Sequence, residues 1–422
     1  MIDSANRAGY AGASVSVVIA AAGVSRPTFY DYFEDREDCF LATVTDVHSN
    51  LLSQLEEALR DVSPEQATEA AIGALVTFAV NDPPAARFLM AESTSGGAAA
   101  LALRDDGIAR LAEALETACE GAANDARLVD LDARLVIGAV YRTLARRLRR
   151  AETALKATAD ELGAWCGSYA RPATERRWTT LRPGRRPARS RHVPKLPTQE
   201  MPDPIPAGRP RLSGSEVAEN HRRRILYAVA KLAAEEGYAA MTVADITRAA
   251  GVDGRVFYRL FSDKEDAFAA AHELGFQQVM DATSKAFFAA RSWPERCWEA
   301  GQALTGLLQE NPMVAVAGFV EAYSAGPAAV QRIENIHAAF LFFMQEGLMQ
   351  SPGAANVSRT GMEAIVDAIF EVIYLQARQG EKLKVAAMLG PIAHVWLTPF
   401  MGVTAADAFI DAQGSGRNPR GR

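Results

Sequence analysis

Most of this chain is written twice. Residues 24–40 read VSRPTFYDYFEDREDCF, and at an offset of 228 residues 252–268 read VDGRVFYRLFSDKEDAF. Eight of the 17 positions are identical: Val24, Phe29, Tyr30, Phe33, Asp35, Glu37, Asp38 and Phe40 match Val252, Phe257, Tyr258, Phe261, Asp263, Glu265, Asp266 and Phe268. The correspondence continues outside the stretch, with Ala8-Gly9-Tyr10 against Glu236-Gly237-Tyr238 and Leu162-Gly163 against Leu389-Gly390. A duplication this long restricts 422 residues to two copies of one architecture in tandem.

The second copy shows the design in full. Ile225, Leu226, Val229 and Leu232 fall on one face of a first helix that stops at Gly237. Thr242 caps a short helix bearing Val243, Ile246 and Ala250, Gly251 permits a tight turn, and Asp253 caps a third helix, GRVFYRLF. Two short helices about a glycine turn are the parts of a helix-turn-helix. The first copy repeats the logic with Ser14, Gly23 and Ser25. A fourth helix follows in each, and in the second copy Ser262 and Glu265 have capping-box spacing.

Phe29 and Phe33 stand four apart and share a core face. The altered positions, Arg26/Gly254, Pro27/Arg255, Thr28/Val256, Asp31/Arg259 and Tyr32/Leu260, lie mainly on the first turn and the opposite face. In a helix-turn-helix those parts enter the major groove. The scaffold is therefore kept and the reader changed, as expected of two heads that read different half-sites.

At these residues the chain resembles the TetR family of one-component transcriptional regulators: AAGVSRPTFYDYFEDREDCF and AAGVDGRVFYRLFSDKEDAF are similar to that family's turn, recognition helix and start of helix four. The resemblance implies an all-α fold of two repeats, each a helix-turn-helix domain followed by a helical ligand-binding and dimerisation domain. It places Ser25, Arg26, Thr28 and Tyr30, and likewise Asp253, Arg255, Val256 and Tyr258, on the DNA face, and gives Arg36 and Lys264 to phosphate. Ser14, Thr242 and Arg259 are counted with them. The implied partners are a double-stranded DNA operator and a small apolar effector.

Met1 aligns with Val229, so the first copy lacks the counterpart of residues 220–228 and most of helix one. Either the start lies upstream or the first head is degenerate; its retention of Phe29, Tyr30 and Phe33 favours the former.

The net charge of −6 conceals segregation: −10 over residues 1–170, +9 over 171–224 and −5 over the rest. The basic middle is dense in Pro and Arg, which predicts an extended linker. Arg209 and Arg211 suit a minor-groove arm, and Arg222 suits phosphate. The domains expected are 1–50 and 51–170, the linker 171–211, then 212–272 and 273–412, with a disordered tail 413–422. Apolar residues at helical spacing in 131–148 and 361–377 mark two counterpart helices, able to pack as an intramolecular pseudo-dimer or in a homodimer.

Phe319, Tyr323, Phe343 and Tyr374 are the candidate effector-pocket residues, although aromatics in such helices more often form core. Six scattered histidines and four cysteines without a CxxC offer no metal or catalytic constellation, so no cofactor, no metal and no enzymatic activity are expected. No membrane partner and a cytoplasmic location are expected, from the absence of a signal pattern or a long apolar run. The competing reading is a helical-bundle interaction protein with one or both heads degenerate.

Overall fold

The computed structural model describes residues 1–152, 154–181, 200–205, 212–350, 357–378 and 383–414. Arg209, Arg211 and residues 415–422 of the expected tail lie outside the described residues. The fold is all-α, with one short antiparallel pair, β1 (Arg127–Val129) and β2 (Ala170–Pro172), in which Leu128 faces Arg171. Among the described residues no single helix is long and apolar enough to cross a membrane.

Two compact units form. One comprises Met1–Arg182, Ala339–Val372 and Gly390–Arg422; the other comprises Pro183–Ala338 and Ile373–Leu389. Helices α1 (Ile2–Gly12), α2 (Val15–Ala22), α3 (Arg26–Tyr32), α4 (Arg36–Leu59), α5 (Ala67–Asn81), α6 (Pro83–Arg87), α7 (Gly97–Ala118), α8 (Ala133–Arg149) and α9 (Leu155–Gly167) belong to the first. The second holds α10 (Gly214–Glu236), α11 (Val243–Ala250), α12 (Gly254–Leu260), α13 (Lys264–Ala289), α14 (Trp293–Glu310) and α15 (Pro312–Phe319). Helices α16 (Pro327–Gln350) and α17 (Arg359–Arg378) pass from one unit into the other, and α18 (Leu389–Met401) and α19 (Val403–Gly414) lie almost wholly in the first.

The local signals of the repeat recur at the same offset. Ser14, Ser25 and Asp35 cap α2, α3 and α4 through their side chains, as Thr242, Asp253 and Asp263 cap α11, α12 and α13. Gly23 and Gly251 close α2 and α11 in the left-handed region, at φ 67° and 62°, where a β-carbon would be strained. The cap of the fourth helix differs from the Ser262/Glu265 expectation. Asp263 accepts from the Asp266 amide at 2.8 Å, while the Ser262 amide is itself held by the Asp266 carboxylate at 3.0 Å. A carboxylate in β geometry is the stronger cap, so the hydroxyl yields the position.

The heads differ in their support. Helix α10 has 23 residues and α1 has 11. The early turns of α10 bring Arg222 over the Phe261 ring, 5.2 Å from its centroid, and Phe261 is buried. Phe33, its counterpart, is half-buried around a small core of Val18, Phe29 and Cys39.

The first residues of the segment read as linker are held by contacts of their own. Arg171 pairs with Asp130 at 3.1 Å and Asp407 at 2.5 Å, Arg177 pairs with Asp411 at 2.8 Å, and the Trp178 indole donates to Asp407 at 2.9 Å and stacks on His394. Arginine gives what proline withholds here: donors for buried carboxylates where the chain cannot be helical.

Candidate nucleic-acid interface

Helices α3 and α12 are each a short, capped element standing on one buried ring. In α3 that ring is Phe29 and in α12 it is Phe257; each meets a second phenylalanine four residues on, Phe33 at 5.4 Å and Phe261 at 5.8 Å between centroids. Burial of such a ring contributes about 1.5–3 kcal/mol, which fixes the rotation of the helix about its axis. The opposite side is then committed to solvent. Tyr30 is 49% exposed, Tyr32 78% and Tyr258 62%.

On α3 the exposed set includes Ser25, Arg26, Tyr30 and Asp31, with Thr28 half-buried; on α12 it includes Asp253, Arg255, Tyr258 and Arg259, with Val256 half-buried. Of the residues expected on the DNA face of these two helices, Thr28 and Val256 are thus half-buried and the others exposed. The hydroxyls of Ser25 and Thr28 meet at 2.8 Å, and Arg26 reaches the Ser16 hydroxyl at 3.2 Å, tying the first turn of α3 to α2. Ser14 accepts from the Val17 amide at 3.4 Å and Thr242 closes a reciprocal box with Asp245, so both hydroxyls serve their helix ends. The two helices differ in charge: α3 combines Arg26 with Asp31, whereas α12 carries Arg255 and Arg259 and has its one carboxylate at the cap, Asp253.

The cations at the start of helix four turn inward. Lys264 donates to the carbonyls of Tyr238, Ala239 and Met241 at 3.2, 3.3 and 3.0 Å and lies over the Tyr238 ring. Burial lowers its pKa. Arg36 does the same in the first copy, toward the carbonyls of Tyr10 and Ala11 at 3.5 and 3.3 Å, over the Tyr10 ring at 4.2 Å. Lys264 clamps the turn after α10 and Arg36 the last turn of α1, where the resemblance assigns them phosphate. Arg222 is engaged by Phe261, and neighbouring Arg224, buried, donates to the Ala250 carbonyl at 2.7 Å at the end of α11. A cation there also answers the negative end of the helix dipole.

Phe319, Tyr323 and Tyr374 fall in the second unit and Phe343 in the first. Phe343 and Tyr374 are buried, while Phe319 and Tyr323 are half-buried. Cavities of 310 and 390 Å³ in the first unit and 500 Å³ in the second are lined by other residues, among them Glu116, Cys119 and Arg176 in the first of these.

A constellation that apolar periodicity concealed lies within the first unit. Arg142 and Arg146 of α8 meet Glu371 and Asp367 of α17, all buried. The signal was in the sequence, as arginines four apart facing carboxylates at 363, 367 and 371 in otherwise apolar helices.

The model of the bacterial regulatory proteins of the tetR family matches residues 3–43 and 225–271. No curated protein matches the chain. Among solved structures, the fatty acid degradation regulator FadR from Bacillus halodurans is similar at a TM-score of 0.38 and 19% identity, over 42% of this chain and 93% of that one. A TetR family transcription regulator from Marinobacter aquaeolei VT8 gives 0.35 and 22%, over 45% and 97%. FadR from Bacillus subtilis, in complex with stearoyl-CoA, gives 0.33 and 16%, over 46% and 98%. Both matches fall on the capped helix-turn-helix units, so the chain is similar to the tetR family at two places in tandem.

Proposed function

We propose that the protein is a ligand-released repressor whose two unlike heads bind an asymmetric operator. The observation that carries the reading is the contrast between the faces of α3 and α12: the buried phenylalanines are the same, and the exposed groups are not. The DNA-binding residues of this reading are Ser25, Arg26, Thr28 and Tyr30 in one head and Asp253, Arg255, Val256, Tyr258 and Arg259 in the other. The pairing of α8 with α17 supports an intramolecular pseudo-dimer. Heads paired in that way address half-sites about 34–36 Å apart, one turn of DNA. An apolar effector that favours one spacing of the heads over another releases the operator.

Footprinting of the full chain on DNA flanking its own gene tests this. Protection of two unlike half-sites one turn apart is the expected result; a palindromic footprint excludes the two-reader form.

A second reading has its own observation. Asp31 stands where the second head has Arg259, and a carboxylate facing phosphates is repelled. In that reading the second head alone holds DNA and the first serves in pairing. A footprint confined to one half-site, unchanged by Arg26→Ala, would favour it.

A further inference from the structure

Across the seam between the repeats inside the first unit, arginines of the first repeat meet carboxylates of the second. Arg142 Nε lies 2.6 Å from Glu371 Oε2, with Arg104 3.5 Å from the same oxygen. Arg146 grips both oxygens of Asp367 at 2.9 Å, where the Thr143 hydroxyl also donates at 2.7 Å, and reaches Glu363 at 3.4 Å. Arg147 contacts the Thr360 hydroxyl at 2.7 Å and Glu363 at 3.4 Å. As numbers rise along α8 those of its partners fall along α17, so the helices run antiparallel. Further along, Arg171 and Arg177 take Asp407 and Asp411. In all of these pairs the cation belongs to the first repeat and the carboxylate to the second. Helix α8 has five arginines and no carboxylate, so this is the character of the whole helix.

The groups at the centre of the seam are deeply buried: Arg142 is 8% exposed, Arg146 4%, Asp367 3% and Glu371 0%. Burial pushes the Glu371 carboxyl upward, and Arg142 with Arg104 more than reverses it, holding it below the ordinary glutamate value. Buried pairs of this kind add little net stability, because desolvation offsets their attraction; apolar residues of equal volume would hold the helices as well. What they add is discrimination. Pairing α8 with a second α8 would bury Arg142 and Arg146 against arginines, and pairing α17 with a second α17 would bury carboxylates against carboxylates.

We propose that this seam is a specificity lock: the arginine face of the first repeat admits the acidic face of this chain's own second repeat and rejects a copy of itself. Homotypic pairing, which would give two identical heads and a palindromic site, is thereby excluded, and the two unlike readers are always presented together. The proposal rests on the paired-heads reading only for that consequence at DNA.

The test uses the full chain in two charge-reversed forms. Glu363→Arg, Asp367→Arg and Glu371→Arg make both faces basic; Arg142→Glu, Arg146→Glu and Arg147→Glu make both acidic. Each form alone loses the closed seam. Mixed, they assemble into a complex of one basic and one acidic chain in analytical ultracentrifugation, and the basic form binds the acidic form about 100-fold or more tightly than it binds itself. Self-association of the basic form as strong as the mixed association overturns the proposal, as does either form alone sedimenting and melting like the unaltered chain.

Three reversals can prevent a chain from folding, so a smaller exchange accompanies them. Arg146→Asp and Asp367→Arg each lower the thermal midpoint, and together they recover most of the loss; losses that simply add overturn the proposal. Neither readout involves DNA, so a failed footprint and a failed lock are separately visible.

Discussion

Arg146 holds Asp367 through both carboxylate oxygens, each 2.9 Å from the same guanidinium nitrogen, across 221 residues of sequence. Both side chains are buried, at 5% and 4% side-chain exposure. Removing one partner leaves the other charged and buried. Arg146→Ala or Asp367→Ala is therefore expected to destabilise by about 3–5 kcal/mol, and the joint change Arg146→Met with Asp367→Leu by clearly less. Urea titration of the four proteins measures the difference.

Two helical glycines, Gly138 at the seam and Gly73 on α5, predict a contrast of sign. A β-carbon on Gly138 would lie 2.6 Å from Glu371 Cγ, whereas one on Gly73, within α5, would meet nothing within 4 Å. Alanine is the better helix former by about 0.8–1.0 kcal/mol. Gly73→Ala should therefore raise the unfolding free energy by up to that amount, and Gly138→Ala should lower it by about 1–3 kcal/mol through overpacking. Equal shifts in the same direction would contradict the close approach of α8 to α17.

In the proposed two-reader form, Arg255→Ala and Arg259→Ala are expected to weaken operator binding by about 1–3 kcal/mol each where the side chain meets a base edge, with relaxed sequence preference at that position. Asp31→Arg in the first head should instead strengthen binding and steepen its salt dependence by about one ion. Titrations of labelled duplex at several salt concentrations read both effects.

Lys264 gives its ammonium to three backbone carbonyls, at 3.0 to 3.3 Å. Lys264→Met should lower stability by about 1–3 kcal/mol, the scale for hydrogen bonds to a charged donor. The salt slope of DNA binding should stay nearly unchanged, because this cation is occupied. A loss of one ion from the slope without a change in stability would return Lys264 to the phosphate role.

His48 and His272, buried on the fourth helix of each repeat, have their pKa lowered to about 4. Burial is the leading cause, seconded for His272 by Arg332 and opposed for His48 by a backbone hydrogen bond. The unfolded chain, with histidine near 6.5, binds more protons through this window, so stability falls as pH drops from about 6.5 towards 4. Each group contributes about 3 kcal/mol of that loss at the lower end. Replacing either with Gln should flatten the slope of unfolding free energy against pH by one proton between those limits, with little change in slope above pH 7.

The reading heads were largely legible from the chain because their determinants are local. A cap and a left-handed glycine act within a few residues, and Ser25, Gly23 and Phe29 reappear as Asp253, Gly251 and Phe257 with the same duties. Orientation on the surface followed from one buried ring per helix. The destinations of long cations were not legible. Lys264 and Arg36 were assigned outward by resemblance, but a flexible side chain goes to whichever acceptors lie nearest, and those carbonyls come from a turn 23 to 26 residues earlier.

The sequence by itself determined two all-α repeats, capped helix-turn-helix units at fixed spacing, and unlike exposed residues on a common scaffold. The tertiary structure alone decided which helices close together. Periodicity marked 131–148 and 361–377 as apolar counterparts, a property that permits pairing with either kind. The choice came from a few buried charges, Arg142 and Arg146 against Glu371 and Asp367, whose meaning exists only once partners more than 220 residues away are brought within 3 Å. Hydrophobic burial is indifferent to identity, whereas a charge out of water tolerates only its opposite.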